Sequence, residues 1–167
     1  MLTPCAILLD IILCFIYFSG NQKGVRAFSS SYRNTLVNVG VANLYAEPSF
    51  SSSLVTQAIL GESLETLEKK GNWFRVRQWD GYISWIYSSY LVDVPERWEQ
   101  NFHYRLRSGW VYENPGMGAQ TVRQITVGAH LPGKLAEEHW VQVQLPDQQS
   151  GYVYDRSIPE PDVLTDR

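Results

Sequence analysis

From residue 36 onward the chain alternates in short bursts. Apolar and polar residues change place at every second position for a few residues and then give way to Gly, Asn, Asp, Ser or Pro. A period of two is the mark of a half-buried β-strand. Five such runs stand in the first stretch, at 39–45, 54–60, 63–69, 73–78 and 81–85, and the pairs Gly71-Asn72 and Asp80-Gly81 predict tight hairpin turns between the last three. Within 73–76, Trp73 and Arg75 point to one side and Phe74 and Val76 to the other. Only 95–101 (PERWEQN) reads as a single helical turn, opened by Pro95.

The same pattern recurs further on. Tyr45 and Pro48 return as Tyr112 and Pro115, Val55 and Gln57 as Val122 and Gln124, Gly61 as Gly128, Leu64 as Leu131, and Trp73 and Val76 as Trp140 and Val143, always 67 residues apart. The spacing rises to 70 between Gly81-Tyr82 and Gly151-Tyr152, which predicts that the second copy has a longer turn over 145–150 (LPDQQS). Two homologous units of about 60 residues follow, each too small for a broad sandwich and suited to a small curved barrel that hides its edges. The expected organisation is a leader and connector at 1–35, a first barrel at 36–94, a linker at 95–101, a second barrel at 102–160 and a tail at 161–167. The two barrels are expected to pack through part of their aromatic surface.

Ahead of the strands, residues 6–18 (AILLDIILCFIYF) form an apolar run of 13 broken by Asp10, too short to span a bilayer untilted. The length suits a signal-peptide core, although no Lys or Arg precedes it while Lys23 and Arg26 follow, the reverse of the usual order. Export to the cell envelope or beyond is expected, with membrane contact through this segment only. The alternative is a stretch translated from a misplaced start codon, which would leave the protein cytoplasmic. Residues 19–34 are a polar, Ser-rich connector.

Composition narrows the chemistry. With 14 Lys plus Arg against 17 Asp plus Glu, the net charge of −3 implies no nucleic-acid partner. Cys5 and Cys14 are the only cysteines, so the globular part offers no thiolate metal site, disulfide or cysteine nucleophile. His103, His130 and His139 stand at no metal-ligand spacing, and Glu137, Glu138 and His139 read as a solvated turn. Catalytic residues, metal and cofactor are all expected to be none. Trp73 and Trp140, recurring at constant spacing, are expected in the cores, so that Trp140→Ala would cost about 3–5 kcal/mol. Tyr45, Trp79, Tyr82, Trp85, Tyr87 and Tyr90 are too many for one small core, so some must line an exposed surface suited to a peptide or glycan.

The residues from Val41 to Leu91 resemble a bacterial SH3-like domain. The marks are Tyr45-Ala46-Glu47-Pro48-Ser49, a small polar loop, Leu54-Val55-Thr56-Gln57, Gly71-Asn72-Trp73, and Asp80-Gly81-Tyr82 with Trp85 and Ile86. The second unit is similar but more divergent, lacking the Trp that follows Gly81-Tyr82 and carrying Asp155 in its place after Gly151-Tyr152. The tandem pair is similar to the N-terminal half of NlpC-type cell-wall peptidases, particularly those that cleave after γ-D-glutamate in murein peptides. That resemblance implies an all-β protein of two SH3-like barrels in tandem. It also implies a non-catalytic module binding murein peptide or cell-wall glycan for a separate or lost peptidase domain, since the family's Cys-His pair finds no match here. By the same resemblance Glu47 would meet the free amino end of an L-Ala-γ-D-Glu peptide and Tyr82 would cover its alanine, while Asn114 replaces Glu47 in the second unit. Tyr45, Trp79 and Trp85 complete the expected ligand surface. The alternative is an adaptor-type SH3 module for proline-rich partners. Against it stand Ser84, in place of an expected groove proline, and the loop 50–53 (FSSS), which lacks acidic residues.

Overall fold

A computed structural model describes residues 33–157, so the apolar run, most of the connector and the tail from residue 158 lie outside the described residues. The described chain is almost wholly antiparallel β structure. The first sheet holds β1 (Arg33–Val37), β2 (Val41–Tyr45), β3 (Leu54–Ile59), β4 (Ser63–Lys70), β5 (Trp73–Arg77), β6 (Ile83–Tyr87) and β7 (Leu91–Asp93). Their order is β3-β2-β6-β5-β4-β1-β7. Val37, Ala42, Leu44, Ala58, Leu64, Val76 and Ile86 meet in one core, with Leu91 packed against it. A sheet whose every strand feeds one core must curl around it, and this one does so without pairing its ends, β3 and β7. This is the SH3-like architecture. A 3-10 turn (Ser88–Tyr90) links β6 to β7.

The alternating pattern gives no sign of β1, because Thr35, Leu36 and Val37 are buried in succession. β1 is an inner strand, paired with β4 and β7, and side chains buried on both of its faces erase the period of two.

The second unit repeats the scheme. Strands β9 (Ser108–Tyr112), β10 (Thr121–Thr126), β13 (Trp140–Gln144) and β14 (Ser150–Tyr154) have the lengths of β2, β3, β5 and β6, each displaced by 67 residues. With β12 (Gly133–Glu137) they form a sheet in the order β10-β9-β14-β13-β12. A separate pair, β8 (Phe102–His103) with β11 (His130–Leu131), stands where β1 meets the start of β4. Pro132 lies between β11 and β12. It has no N–H to give a ladder, and what is one strand in the first unit is two in the second.

The register corrects the expectation of a longer second turn. In turn 78–82 the Gln78 N–H donates to the Tyr82 carbonyl at 2.9 Å, and in turn 145–149 the Leu145 N–H donates to the Gln149 carbonyl at 2.8 Å. The turns are equal in length, and the spacing stays at 67. Gln148 (φ 67°) takes the left-handed place of Gly81 (φ 90°). Gly151 pairs with Val143 as Ser84 pairs with Val76, Tyr152 answers to Trp85, and Asp155 to Ser88. Gly151 is thus not a turn glycine: a Cβ there would collide with the Val111 side chain.

Residues 95–101 contain no helical turn. The linker is held by its side chains instead. Gln100 Nε2 donates to the Gly61 carbonyl at 2.7 Å, Asn101 Oδ1 accepts the Gly133 N–H at 2.7 Å, and Trp98 packs against the second core. The two sheets belong to one compact unit, and among the described residues each ring pair lies within one unit while the side chains that reach across are aliphatic and polar. Leu60, just past β3, is fully buried in the core of the second unit. Arg123 donates to the Asn38 carbonyl and pairs with Asp147 at 2.9 Å, while Asn38 Nδ2 donates to the same carboxylate at 3.1 Å. Among the described residues no helix is long and apolar enough to cross a membrane.

Candidate functional site

The outer face of the first sheet is aromatic because β2, β5 and β6 send their alternate residues away from the core. Across this face Tyr45 stands opposite Trp85, Trp85 opposite Arg75, and Tyr87 opposite Trp73. Ring centroids run 5.8 Å from Tyr45 to Trp73, 5.4 Å from Trp73 to Tyr87 and 5.8 Å from Tyr87 to Tyr90. Phe50, from the β2–β3 loop, lies over them, 4.7 Å from Trp73 and 5.1 Å from Tyr87. Trp73 is therefore half-buried in an outer cluster and not in the core, which Val76 fills from the opposite face. Trp140 repeats this, half-buried with Tyr112 at 5.7 Å and Tyr154 at 5.4 Å. Its loss removes edge-to-face contacts worth about 0.5–1.5 kcal/mol plus some area, less than a core ring would.

The five expected ligand residues fall into three places. Tyr45 and Trp85 share one rung, but Trp85 is only 9% exposed and serves as its floor. Trp79 and Tyr82 share the turn 78–82 and are 86% and 57% exposed. Glu47 sits by itself in the β2–β3 loop. No hydrogen bond joins Glu47 to Tyr82. Phe50, 57% exposed, is the aromatic that sequence reasoning left out; its signal was a lone large ring in a run of serines.

Local hydrogen bonds set these positions. The Glu47 N–H donates to Ser52 Oγ at 3.0 Å, its carbonyl accepts the Ser49 N–H at 2.7 Å, and Ser49 and Ser51 join their hydroxyls at 2.8 Å. The loop is thus braced by its own serines, and Pro48 fixes the backbone beside Glu47. Among the described residues the Glu47 carboxylate has no ion-pair or hydrogen-bond partner. At the other turn, buried Gln78 donates to the Gln57 carbonyl at 3.2 Å and to Glu62 at 3.0 Å, and Asp80 Oδ1 accepts the Tyr82 N–H at 3.1 Å. The exposed pairs Arg75–Glu68 (3.7 Å) and Arg77–Glu65 (2.7 Å) dress the outer face and contribute at most about 1 kcal/mol each.

The histidines form no metal centre: among the described residues no three His, Cys, Asp or Glu side chains are grouped to hold an ion. His103 and His130 stack at 3.8 Å across β8 and β11. Burial, and then the neighbouring His103, hold His130 below the usual imidazole range. Ser84 is buried on the core side of β6, so it occupies no groove and says nothing about a proline ligand.

Residues 40–92 match the bacterial SH3 domain family. No curated protein matches the chain. Among solved structures, an NlpC/P60 family protein from Bacillus cereus ATCC 10987 is 18% identical with a TM-score of 0.57, over 72% of this chain and 54% of that one. NlpC2 and NlpC1 from Trichomonas vaginalis are 9% and 10% identical with TM-scores of 0.35, over 74% and 77% of this chain and 46% and 45% of theirs. The chain spans about half the length of the proteins it is similar to. Over residues 40–92 it carries a bacterial SH3 domain, and over 72% of its length it shares the fold of the Bacillus cereus protein.

Proposed function

We propose that the protein is a non-catalytic recognition module of the cell envelope whose first SH3-like unit takes the free amino end of an L-Ala-γ-D-Glu murein peptide. The observation that carries this reading is Glu47, an exposed carboxylate without a charge partner among the described residues, on a loop that its own serines hold in shape. A carboxylate so placed suits an α-ammonium group through a charge-assisted hydrogen bond. Tyr82 offers an exposed ring for the alanine methyl and a hydroxyl for the peptide. The likeness to an NlpC/P60 family protein supports this choice of ligand, and a peptidase domain supplied separately would complete the pocket.

NMR titration of the full chain with L-Ala-γ-D-Glu tests it. Shifts centred on Tyr82, with affinity of about a millimolar for half a site, are expected to vanish in Glu47→Gln and with the N-acetylated peptide. Equal binding by the acetylated peptide would sink the assignment. A second reading, an adaptor for proline-rich segments, has support in the Tyr45, Phe50, Trp73 and Tyr87 cluster. Capture by insoluble peptidoglycan, against capture by a proline-rich peptide array, separates the two.

A further inference from the structure

We infer that the cleft between the two units is a second ligand site, which binds a neutral sugar ring stacked on Trp79. The cleft encloses about 400 Å³, within the range of small-molecule pockets. Trp79 stands on its rim, Glu62 and Ser63 come from the first unit, Gly128 and His130 from the second, and Gln100 from the linker.

Trp79 leaves 86% of its surface in water, the most of any large apolar side chain described. The fold does not require it, because the same place in the second unit is held by Pro146, which is buried. Nor is the indole on a loose loop. Buried Gln78 anchors the turn to Gln57 and Glu62, and the Gln78–Tyr82 hydrogen bond closes it. A large ring held in place in water offers contact area with little ordering left to lose on binding.

The rim decides the class of ligand. Among the described residues no Lys or Arg lines the cleft, so they offer an anion no counter-charge. Burial and the His103 ring favour a neutral His130. Ser63 and Gln100 are neutral hydrogen-bonding groups. Glu62 already accepts the Ile59 N–H at 3.1 Å and the Gln78 amide at 3.0 Å, and its remaining lone pairs can take hydroxyl protons. A flat apolar face against an indole, ringed by uncharged donors and acceptors, is the shape of a pyranose with hydroxyl or acetamido groups. A phenyl side chain would match the indole but leave that rim unanswered.

The test is NMR of the full chain with tri-N-acetylchitotriose as the probe. Shifts are expected at the Trp79 indole N–H and at the amides of Ser63 and Gly128, weakened at least about tenfold in Trp79→Ala and only a few-fold in Trp79→Phe, which keeps a stacking face. An unchanged melting temperature of Trp79→Ala confirms that the fold survives. Glu47→Gln should leave the sugar titration untouched while it abolishes that of L-Ala-γ-D-Glu, so either reading can fail alone. Absence of shifts, shifts that persist in Trp79→Ala, or equal binding by a phenylalanine-containing dipeptide would overturn the inference.

Discussion

At the scale of single residues the two cores solve one packing problem with different side chains. Val37 and Ala42 of the first unit correspond to Tyr104 and Gly109 of the second, a small-small pair traded for a large residue beside none. A Cβ on Gly109 would collide with the Tyr104 hydroxyl. Gly109→Ala is therefore expected to destabilise the protein by about 1–3 kcal/mol, and Tyr104→Phe in the same chain to recover most of it. Denaturant titration of the unaltered protein, the two single variants and the double variant measures the coupling, and additivity would contradict the account. Such trades explain what the sequence does and does not disclose. The match of Trp73 with Trp140 holds in space, yet both rings lie outside the core, because spacing reports equivalence and not which face is buried. The identity of Gly81-Tyr82 with Gly151-Tyr152 predicts an equivalence that the fold does not keep, since one glycine serves a left-handed turn and the other a close approach of strands.

At the scale of elements, strands with one wet face were legible and continuously buried ones were not: β3 and β5 lie within a residue of their predicted bounds, while β1 had no pattern to give it away. The exposed half of the candidate site was legible for a similar reason, since a core of this size cannot absorb Trp79 and Tyr82. The burial of Trp85 was hidden, because it depends on neighbours in strands distant in sequence. The short β8–β11 pair carries a titration. His130 is lowered by burial and by His103, so the unfolded chain binds its proton more readily than the folded one. The resulting stability is present above the ordinary imidazole range and is lost as pH falls through it, levelling off once the folded-state value is passed. Thermal melting between about pH 8 and about pH 5, on either side of roughly 6.5, should show this fall. It should be lost in His130→Gln and only lessened in His103→Gln, which leaves the burial in place; a melting curve equally pH-dependent in His130→Gln would assign the effect elsewhere.

At the scale of the whole molecule, the burial of Leu60 in the neighbouring core predicts that the two units unfold as one cooperative body. Its counterpart Val127 is 52% exposed, so the joint is not symmetric. Leu60→Ala should cost about 2–5 kcal/mol, felt in a single unfolding transition by calorimetry. Two separate transitions, only one of them shifted, would show that the units unfold independently.

The equal turns at 78–82 and 145–149 have a use of another kind. Because both close on the same hydrogen bond and join strands of the same length, the four residues PDQQ of 146–149 can stand in for WDGY of 79–82. An aspartate falls at the same place in both, and the chain length does not change. The product would be a matched blank, alike in outline and deprived of the indole and the phenol at once, against which adhesion of the protein to any intact surface can be measured.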